Sequence, residues 1–338
     1  MMEPQRIAEW KGVDAESFDR DVRSRYEPAV LRGVVGDWPA VARARESGDA
    51  FARYLAAFDN GATVDVLRMP PSAAGRIFYT DGLSGFNFTH EHMSLTAVLD
   101  RLGKYARQQK PPGLAAQSAL IADCAPGFLK ENRLTLLDPG VAPRIWLGNA
   151  VVTPAHFDES NNIACVVAGR RRFTLFPPEQ IANLYIGPIG YAPTGTPISL
   201  VSFREPDFTR FPRFREALAA ARVADLEPGD AIYIPALWWH HVESLDTHNA
   251  LVNYWWRPND VDPKASALDA LLLGILNLRH LPPEQREAWR AIFDHYIFVA
   301  DDDTARHIPA GRRGVLGTLS PELMRQVREF LMNQLKRP

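Results

Sequence analysis

The chain is poor in cysteine and lacks long apolar runs, and each absence excludes a class of protein. Its 338 residues include two cysteines, Cys124 and Cys165, which are too few for the disulfide framework of a small secreted domain. No stretch of about 18 apolar residues occurs, so the sequence predicts no membrane-spanning helix. The N-terminus also lacks the apolar region of a signal peptide. We therefore expect a cytoplasmic protein that makes no membrane contact.

An excess of charge of one sign is also lacking. The formal net charge is -2 and the sequence pI is about 6.5. No overall basic field is present to attract a polyanion, so we expect no nucleic-acid partner. Apolar residues make up 46% of the chain, which is enough for a substantial core in one large or two smaller domains.

Two separated segments carry side chains suited to binding a metal ion. Residues 153–158 read TPAHFD, and residues 234–245 read IPALWWHHVESL. In a strand, residues i and i+2 point to the same face, so His156 and Asp158 can reach one ion from one strand. His240 from the second segment would complete a triad of two histidines and one carboxylate. Such a triad with open coordination positions is typical of non-haem Fe(II) oxygenases.

An isolated His-x-Asp pair also occurs by chance on surface loops, so the metal interpretation depends on the surrounding pattern. Short apolar runs bounded by glycine, proline and aspartate predict strands joined by turns. The predicted order is a strand at 162–167, a turn at 169–172, a strand at 173–176, a turn at 228–230 and a strand at 231–234. His240 follows the last strand and a tight turn, where a ligand at the mouth of a barrel would lie.

These segments resemble the cupin-like, JmjC-domain family of Fe(II)- and 2-oxoglutarate-dependent oxygenases, and within it the asparaginyl hydroxylases that act on hypoxia-inducible factor. The motifs that carry the resemblance are TPAHFDE, GxRRxxLFPPEQ, DFTRFP, PGDxxYIP, WWHHVESL and the Asn-aromatic-Trp segment at 253–255. The resemblance covers residues from about 140 to 257 most strongly. It implies a mainly β fold, a double-stranded β-helix of the jelly-roll or cupin type, with N-terminal α/β elements and a C-terminal helical segment.

The resemblance also implies a division of the chain. An oxygenase domain would occupy residues 1–257, with its barrel core at about 111–257, and a helical segment would occupy 258–338. Proline suits the first turn of a helix at Pro263 and Pro282, and Ser320 suits an N-cap. Apolar stripes follow in this segment, and the resemblance implies that they pair two copies as a homodimer. The stripes themselves leave open that they pack on the barrel instead.

The resemblance assigns the metal ligands. His156, Asp158 and His240 would bind Fe(II), because the first histidine after the paired tryptophans takes that role in the family. The next residue, His241, would point away into packing or into a supporting hydrogen bond.

The co-substrate residues follow from the same resemblance. Thr153 would hydrogen-bond a carboxylate of 2-oxoglutarate, and Arg171 would pair with its distal carboxylate, at a position where the family often has lysine. Asn162 and Asn253 would line the pocket and Trp255 would form a wall. The residues alone leave plainer roles open: Arg171 as a solvated turn residue, the asparagines as polar strand ends, and Trp255 as core.

Two departures from the family pattern indicate a remodelled pocket. Ala115 stands where the resembling enzymes have a tyrosine that contacts the co-substrate, and an arginine that helps to bind their substrate is replaced by roughly Pro197. The expected activity is hydroxylation of a protein side chain or a small molecule, using Fe(II), 2-oxoglutarate and O₂. The alternatives are a non-catalytic cupin-like binding or scaffold module, or a metal cupin with chemistry that does not use 2-oxoglutarate.

Overall fold

The computed structural model of the protein describes residues 5–258, 266–299 and 304–336. The chain divides into two units, residues 1–263 and residues 264–338. All strands described lie in the first unit. No helix in the described part of the chain is long and apolar enough to cross a membrane.

The strands of the first unit form two sheets. They are β1 Gln5–Arg6, β2 Ala8–Lys11, β3 Ala29–Arg32, β4 Val64–Met69, β5 Thr89–Met93, β6 Gly113–Leu120, β7 Pro143–Gly148, β8 Val152–His156, β9 Asn161–Ala168, β10 Arg171–Phe176, β11 Arg222–Leu226, β12 Ala231–Ile234, β13 Trp239–Ser244 and β14 Asn249–Trp256. The five-stranded sheet has the order β1-β11-β10-β13-β8, and the nine-stranded sheet has the order β2-β3-β12-β9-β14-β7-β6-β4-β5. The prediction of a mainly β, cupin-type fold is confirmed.

Helices interrupt and follow the strands. They are α1 Ala15–Ser17, α2 Pro39–Glu46, α3 Gly48–Ala56, α4 Leu95–Tyr105, α5 Ile121–Cys124, α6 Phe214–Ala219, α7 Ala267–Leu278, α8 Pro283–Phe293 and α9 Pro321–Leu335. Ser320 caps α9, since its side chain accepts the backbone N–H of Leu323. Pro282 is the N-cap of α8 rather than a first-turn residue, and Pro283 takes the first turn. Pro263 lies outside the described residues.

The barrel interior lies between the two sheets. Alternate residues of β10, Phe173 and Leu175, point into it and pack with Val166 of β9, Ile232 of β12 and Val242 of β13. This alternation follows from the two-residue period of a strand. The opposite face of the nine-stranded sheet packs against the N-terminal helices in a separate, larger core. Polar side chains that enter this apolar interior are therefore unusual, and they are candidates for binding residues.

The outer face of the five-stranded sheet is covered by residues 178–221, which we call the cover segment. Phe176 of β10 and Trp239 of β13 point to this face. They pack against Leu184 and Phe214 of the cover segment. The outer face of the five-stranded sheet is thus buried where Phe176 and Trp239 lie, and the side chains of Arg172 and Asp225 on the same face stay partly exposed.

Strand β8 is the last strand of its sheet, and two loops cover its free edge. The N–H of Val152 donates to the carbonyl of Gly75 at 2.9 Å, and the N–H of Ile77 donates to Val152 at 3.1 Å. Farther along, the N–H of Ser199 donates to the carbonyl of Ala155 at 2.8 Å. These bonds satisfy backbone groups that an edge strand would otherwise leave open.

The predicted turn at 169–172 is shorter than expected, because β10 already begins at Arg171. Gly169 adopts a φ of 68° and makes the turn with Arg170. Arg171 pairs in register with Leu226 and Ser244 on the neighbouring strands. Arg171 is therefore a buried strand residue, and the interpretation as a solvated turn residue is wrong.

Candidate metal centre and co-substrate pocket

The two predicted histidine ligands lie directly opposite each other on neighbouring strands. His156 ends β8 and pairs in register with His240 of β13, and their ring centroids are 4.2 Å apart. A register shift between His240 and Val242 marks a local irregularity in β13 at this point. One ligand atom each from His156, Asp158 and His240 lies within 4.8 Å of the others. The structure thus brings together all three predicted ligands.

Backbone hydrogen bonds fix which ring nitrogen each histidine presents. Nδ1 of His156 donates to the carbonyl of Pro154 at 2.9 Å, and Nδ1 of His240 donates to the carbonyl of Trp238 at 3.0 Å. A carbonyl only accepts, so Nδ1 carries the proton and Nε2 is left as the electron-pair donor. Burial, and next the His240 ring, lower the pKa of His156, so that it is neutral near pH 7.

Asp158 reaches the site by a route that differs from the prediction. The prediction placed it on the same strand as His156, but β8 ends at His156 and Asp158 follows in a loop. The loop is held where the N–H of Leu237 donates to the Asp158 carbonyl at 2.8 Å. The indole Nε1 of Trp255 donates to Asp158 Oδ2 at 3.0 Å. Asp158 Oδ2 also lies 3.7 Å from His240 Nε2.

The residues that flank the ligands point to the other side of the sheet. The ring of Phe157 meets Trp239 edge to face at 5.0 Å. The ring of His241 stacks on Phe203 of the cover segment at 4.1 Å. Burial lowers the pKa of His241 to about 3, so its ring is neutral. His241 therefore packs on the outer face, away from the ligands, as the sequence predicted.

Arg171 places a buried cation in the barrel without a counter-charge. Its side chain shares the inward face of β10 with Phe173 and Leu175, and the residue is 8% exposed. No carboxylate among the described residues pairs with it, and its Nε has no hydrogen-bond partner. Burial lowers the pKa of the guanidinium to about 10. A buried, unpaired guanidinium is costly unless an anion binds it, so its position indicates an anion site.

The other predicted co-substrate residues surround the same interior. Thr153 of β8 lies opposite Val242, whose side chain belongs to the interior core. Asn253 Nδ2 donates to Asn162 Oδ1 at 3.4 Å, and Asn253 Oδ1 accepts the indole N–H of Trp146 at 2.8 Å. Both asparagines are buried.

Two features of this site were not predicted from the sequence. Trp146 joins the polar chain through Asn253 and meets the ring of Trp255 edge to face at 5.9 Å. Trp255 was predicted as a pocket wall, but its indole N–H also holds a predicted ligand, Asp158. Both features depend on the β7–β14 and β9–β14 registers, for which no local sequence signal exists. Ala115, at the position of the missing tyrosine, packs in a small apolar cluster with Leu67.

Comparison with known protein families gives one match that covers most of the chain. A family model described as a cupin-like domain matches residues 15–262 of the 338 residues. The matched region contains both sheets nearly complete and every site residue discussed above.

Individual relatives match over different lengths. HSPB1-associated protein 1 from Homo sapiens is 37% identical over 118 residues, which is 34% of this chain and 24% of that protein. Lysine-specific demethylase JMJ31 from Arabidopsis thaliana is 31% identical over 150 residues, which is 44% of this chain and 26% of that protein. The tRNA wybutosine-synthesizing protein 5 from Danio rerio is 26% identical over 322 residues, which is 84% of this chain and 90% of that protein. The chain thus spans about a quarter of the first two relatives.

Proposed function

The chain belongs to the cupin-like domain family, and from this premise we propose that it is an Fe(II)- and 2-oxoglutarate-dependent oxygenase that acts as a hydroxylase. The relatives named as JmjC proteins and as a demethylase support an oxygenase. His156, Asp158 and His240 would hold the iron. The donor set fits, because it offers two imidazole nitrogens and one carboxylate with open positions left for small molecules.

The observation that carries the proposal is the combination of the triad with Arg171 in one barrel. His240 lies opposite Leu175, and Arg171 lies four residues before Leu175 on the same strand. Four residues of strand span about 13 Å. A five-carbon diacid together with an arginine side chain covers a separation of this size. The guanidinium would therefore bind the distal carboxylate of a 2-oxoglutarate whose other end lies at the metal.

The protein's own residues would orient and enclose the reactants. Thr153 would donate its hydroxyl to a co-substrate carboxylate, and Asn162 and Asn253 would present amide groups to the pocket. Trp255 would hold Asp158 through its N–H and so fix which carboxylate oxygen faces the metal. Bound iron would supply O₂ activation coupled to oxidative decarboxylation of 2-oxoglutarate. No side chain has to act as a nucleophile or a general base.

The first test is succinate formation by the full chain with Fe(II), ascorbate and 2-oxoglutarate. The variant His240→Ala should lose the metal and all metal-dependent succinate. The matched control is His241→Phe, which changes the adjacent histidine on the other face and should keep the activity. Succinate that persists in His240→Ala would contradict the ligand assignment. Iron binding without any succinate would favour a binding module or other metal chemistry.

The prime substrate would be a protein side chain or a small molecule. Cell extract should raise succinate production, and its fractions identify the class. Stimulation that a protease destroys would indicate a protein, and stimulation that passes a small-pore ultrafilter would indicate a small molecule. A nuclease-treated fraction is included, because the Danio rerio relative is named a tRNA wybutosine-synthesizing protein. Stimulation lost only with nuclease would contradict both proposed classes.

We also propose that helices of residues 264–338 pair two copies of the chain. None of α7, α8 and α9 contains a buried residue. Leu276, Phe330 and Leu335 are 62%, 60% and 56% exposed, which is unusual for a monomer. Light scattering should give twice the chain mass, and Phe330→Glu should reduce it to one chain. Ile181→Glu, an exposed apolar site in the first unit, is the control. A monomeric wild type would overturn this proposal.

A further inference from the structure

A second cavity lies on the outer face of the five-stranded sheet, separated from the metal site by the thickness of that sheet. It has a volume of about 920 Å³ and is lined by strand residues and by the cover segment. Thr174 of β10 is on its floor and pairs in register with His241, so it points away from His240 and Arg171. This cavity is therefore independent of the barrel interior.

The charges that line the cavity favour an anion. Four arginines and two carboxylates border it. Asp225 already accepts hydrogen bonds from Arg6 at 3.2 Å and from Arg172 at 2.7 Å. Arg204 and Arg215 have no carboxylate partner within the described ranges. The guanidinium groups of Arg204 and Arg215 are thus left to bind an anion, and such groups suit the several oxygens of a phosphate.

The remaining lining offers flat apolar surface. Phe203 and Phe208 of the cover segment border the cavity, together with Leu218 and Val223. The guanidinium of Arg215 lies 3.9 Å from the ring centre of Phe208, which orients both groups. Aromatic side chains beside arginine are the combination that stacks a base and holds its phosphate. The segment at 203–215 reads FREPDFTRFPRFR, and two of its phenylalanines and two of its arginines border the cavity.

From these observations we propose that this cavity is a nucleotide site. Arg204 and Arg215 bind the phosphate, and Phe203 and Phe208 contact the base. The phosphate and base can belong to a free nucleotide or to a nucleotide within a strand, and both present the same chemistry. The net charge of -2 on the whole chain does not oppose this, because the arginines concentrate positive charge locally.

The test is calorimetric titration of the full chain at low salt with AMP, adenosine and inorganic phosphate. AMP should bind at least about tenfold more tightly than either part alone, because it uses both halves of the cavity. The double variant Arg204→Ala/Arg215→Ala should weaken AMP binding by about tenfold or more. Both side chains are exposed, so the fold should be retained. Arg170→Ala, an exposed arginine paired with Asp246 outside the cavity, is the matched control.

A second variant separates loss of the site from loss of the fold. Ala219→Trp fills the cavity without changing its charge and should also abolish AMP binding. All these variants should keep wild-type iron binding, so failure here is distinguishable from failure of the oxygenase proposal. A hexanucleotide RNA that binds more tightly than AMP, and loses binding in both variants, would support the site with a strand as the source. AMP binding that is absent, equals that of phosphate, or persists in both variants would overturn the proposal.

Discussion

Replacing Arg171 with methionine should change stability and co-substrate binding in opposite directions. Methionine keeps most of the apolar length of the arginine stem and removes the charge. Lowering the guanidinium pKa from 12.5 to about 10 corresponds to about 3 kcal/mol against the charged form in the buried position. Since no described carboxylate offsets this cost, Arg171→Met should raise the free energy of unfolding by up to about 3 kcal/mol without ligand.

Binding of 2-oxoglutarate should show the reverse effect. Two charge-assisted hydrogen bonds from one guanidinium contribute about 1.5–3 kcal/mol each, so their loss should weaken binding by at least about a hundredfold. At 2-oxoglutarate concentrations 100 times the wild-type Kd, the ligand should stabilise the wild type by about 2.7 kcal/mol and leave the variant nearly unchanged.

Urea denaturation with and without 2-oxoglutarate, in the presence of Fe(II), measures both effects in one series. Arg172→Met is the matched control, because it alters the next residue of the same strand, whose side chain points outward to Asp225. The reasoning would be refuted if Arg171→Met were less stable than the wild type without ligand. That result would mean that Arg171 has a structural partner and that the anion site lies elsewhere.

Three further predictions follow from contacts around the site. Trp255→Phe removes the hydrogen bond to Asp158 and should weaken Fe(II) binding by about 10- to 100-fold in a competitive chelator titration. The control is Trp256→Phe, on the opposite face of β14, which should leave the Fe(II) affinity unchanged. Leu237 has a φ of 67° in the turn before β13, a backbone conformation that favours glycine. Leu237→Gly should therefore stabilise the protein by up to about 1 kcal/mol in thermal unfolding. Leu245→Gly, at a position exposed to a similar extent, should destabilise it. The pKa of His241 falls from 6.5 unfolded to about 3 folded, so the unfolded state binds the extra proton and stability falls as pH drops from 6.5 toward 3. Between pH 7 and pH 5, His241→Phe should therefore lose about 2 kcal/mol less unfolding free energy than the wild type in metal-free urea titrations, and an equal loss would contradict burial of a neutral ring.

The sequence predicted the parts of this protein that depend on local patterns. The strands over 161–168 and 231–234 are marked by short apolar runs. Glycine marks the turn after the first strand, and proline and glycine mark the turn before the second. The three candidate ligands could be found because their motifs stand beside predicted strands and turns and resemble those of a known family. The cap at Ser320 could be predicted for the same reason, since its hydrogen bond to Leu323 is local.

What could not be predicted depends on pairings between distant residues. Asp158 lies beyond the end of its strand, and its position is set by Leu237 and Trp255, which are 79 and 97 residues away. The burial of Arg171 depends on the registers of β11 and β13 on either side of it. The second cavity requires the cover segment to fold back over the sheet, and no periodicity in the sequence reports where that segment packs.

The edge position of β8 has a consequence for how this protein can diversify. One side of the strand is committed to β13 and holds His156 opposite His240. The other side is held by Gly75, Ile77 and Ser199, which belong to loops rather than to a neighbouring strand. Loops tolerate insertions and sequence change far better than strands do. Changes in those two loops can therefore reshape the approach to the strand that carries His156 while the register between His156 and His240 stays constant.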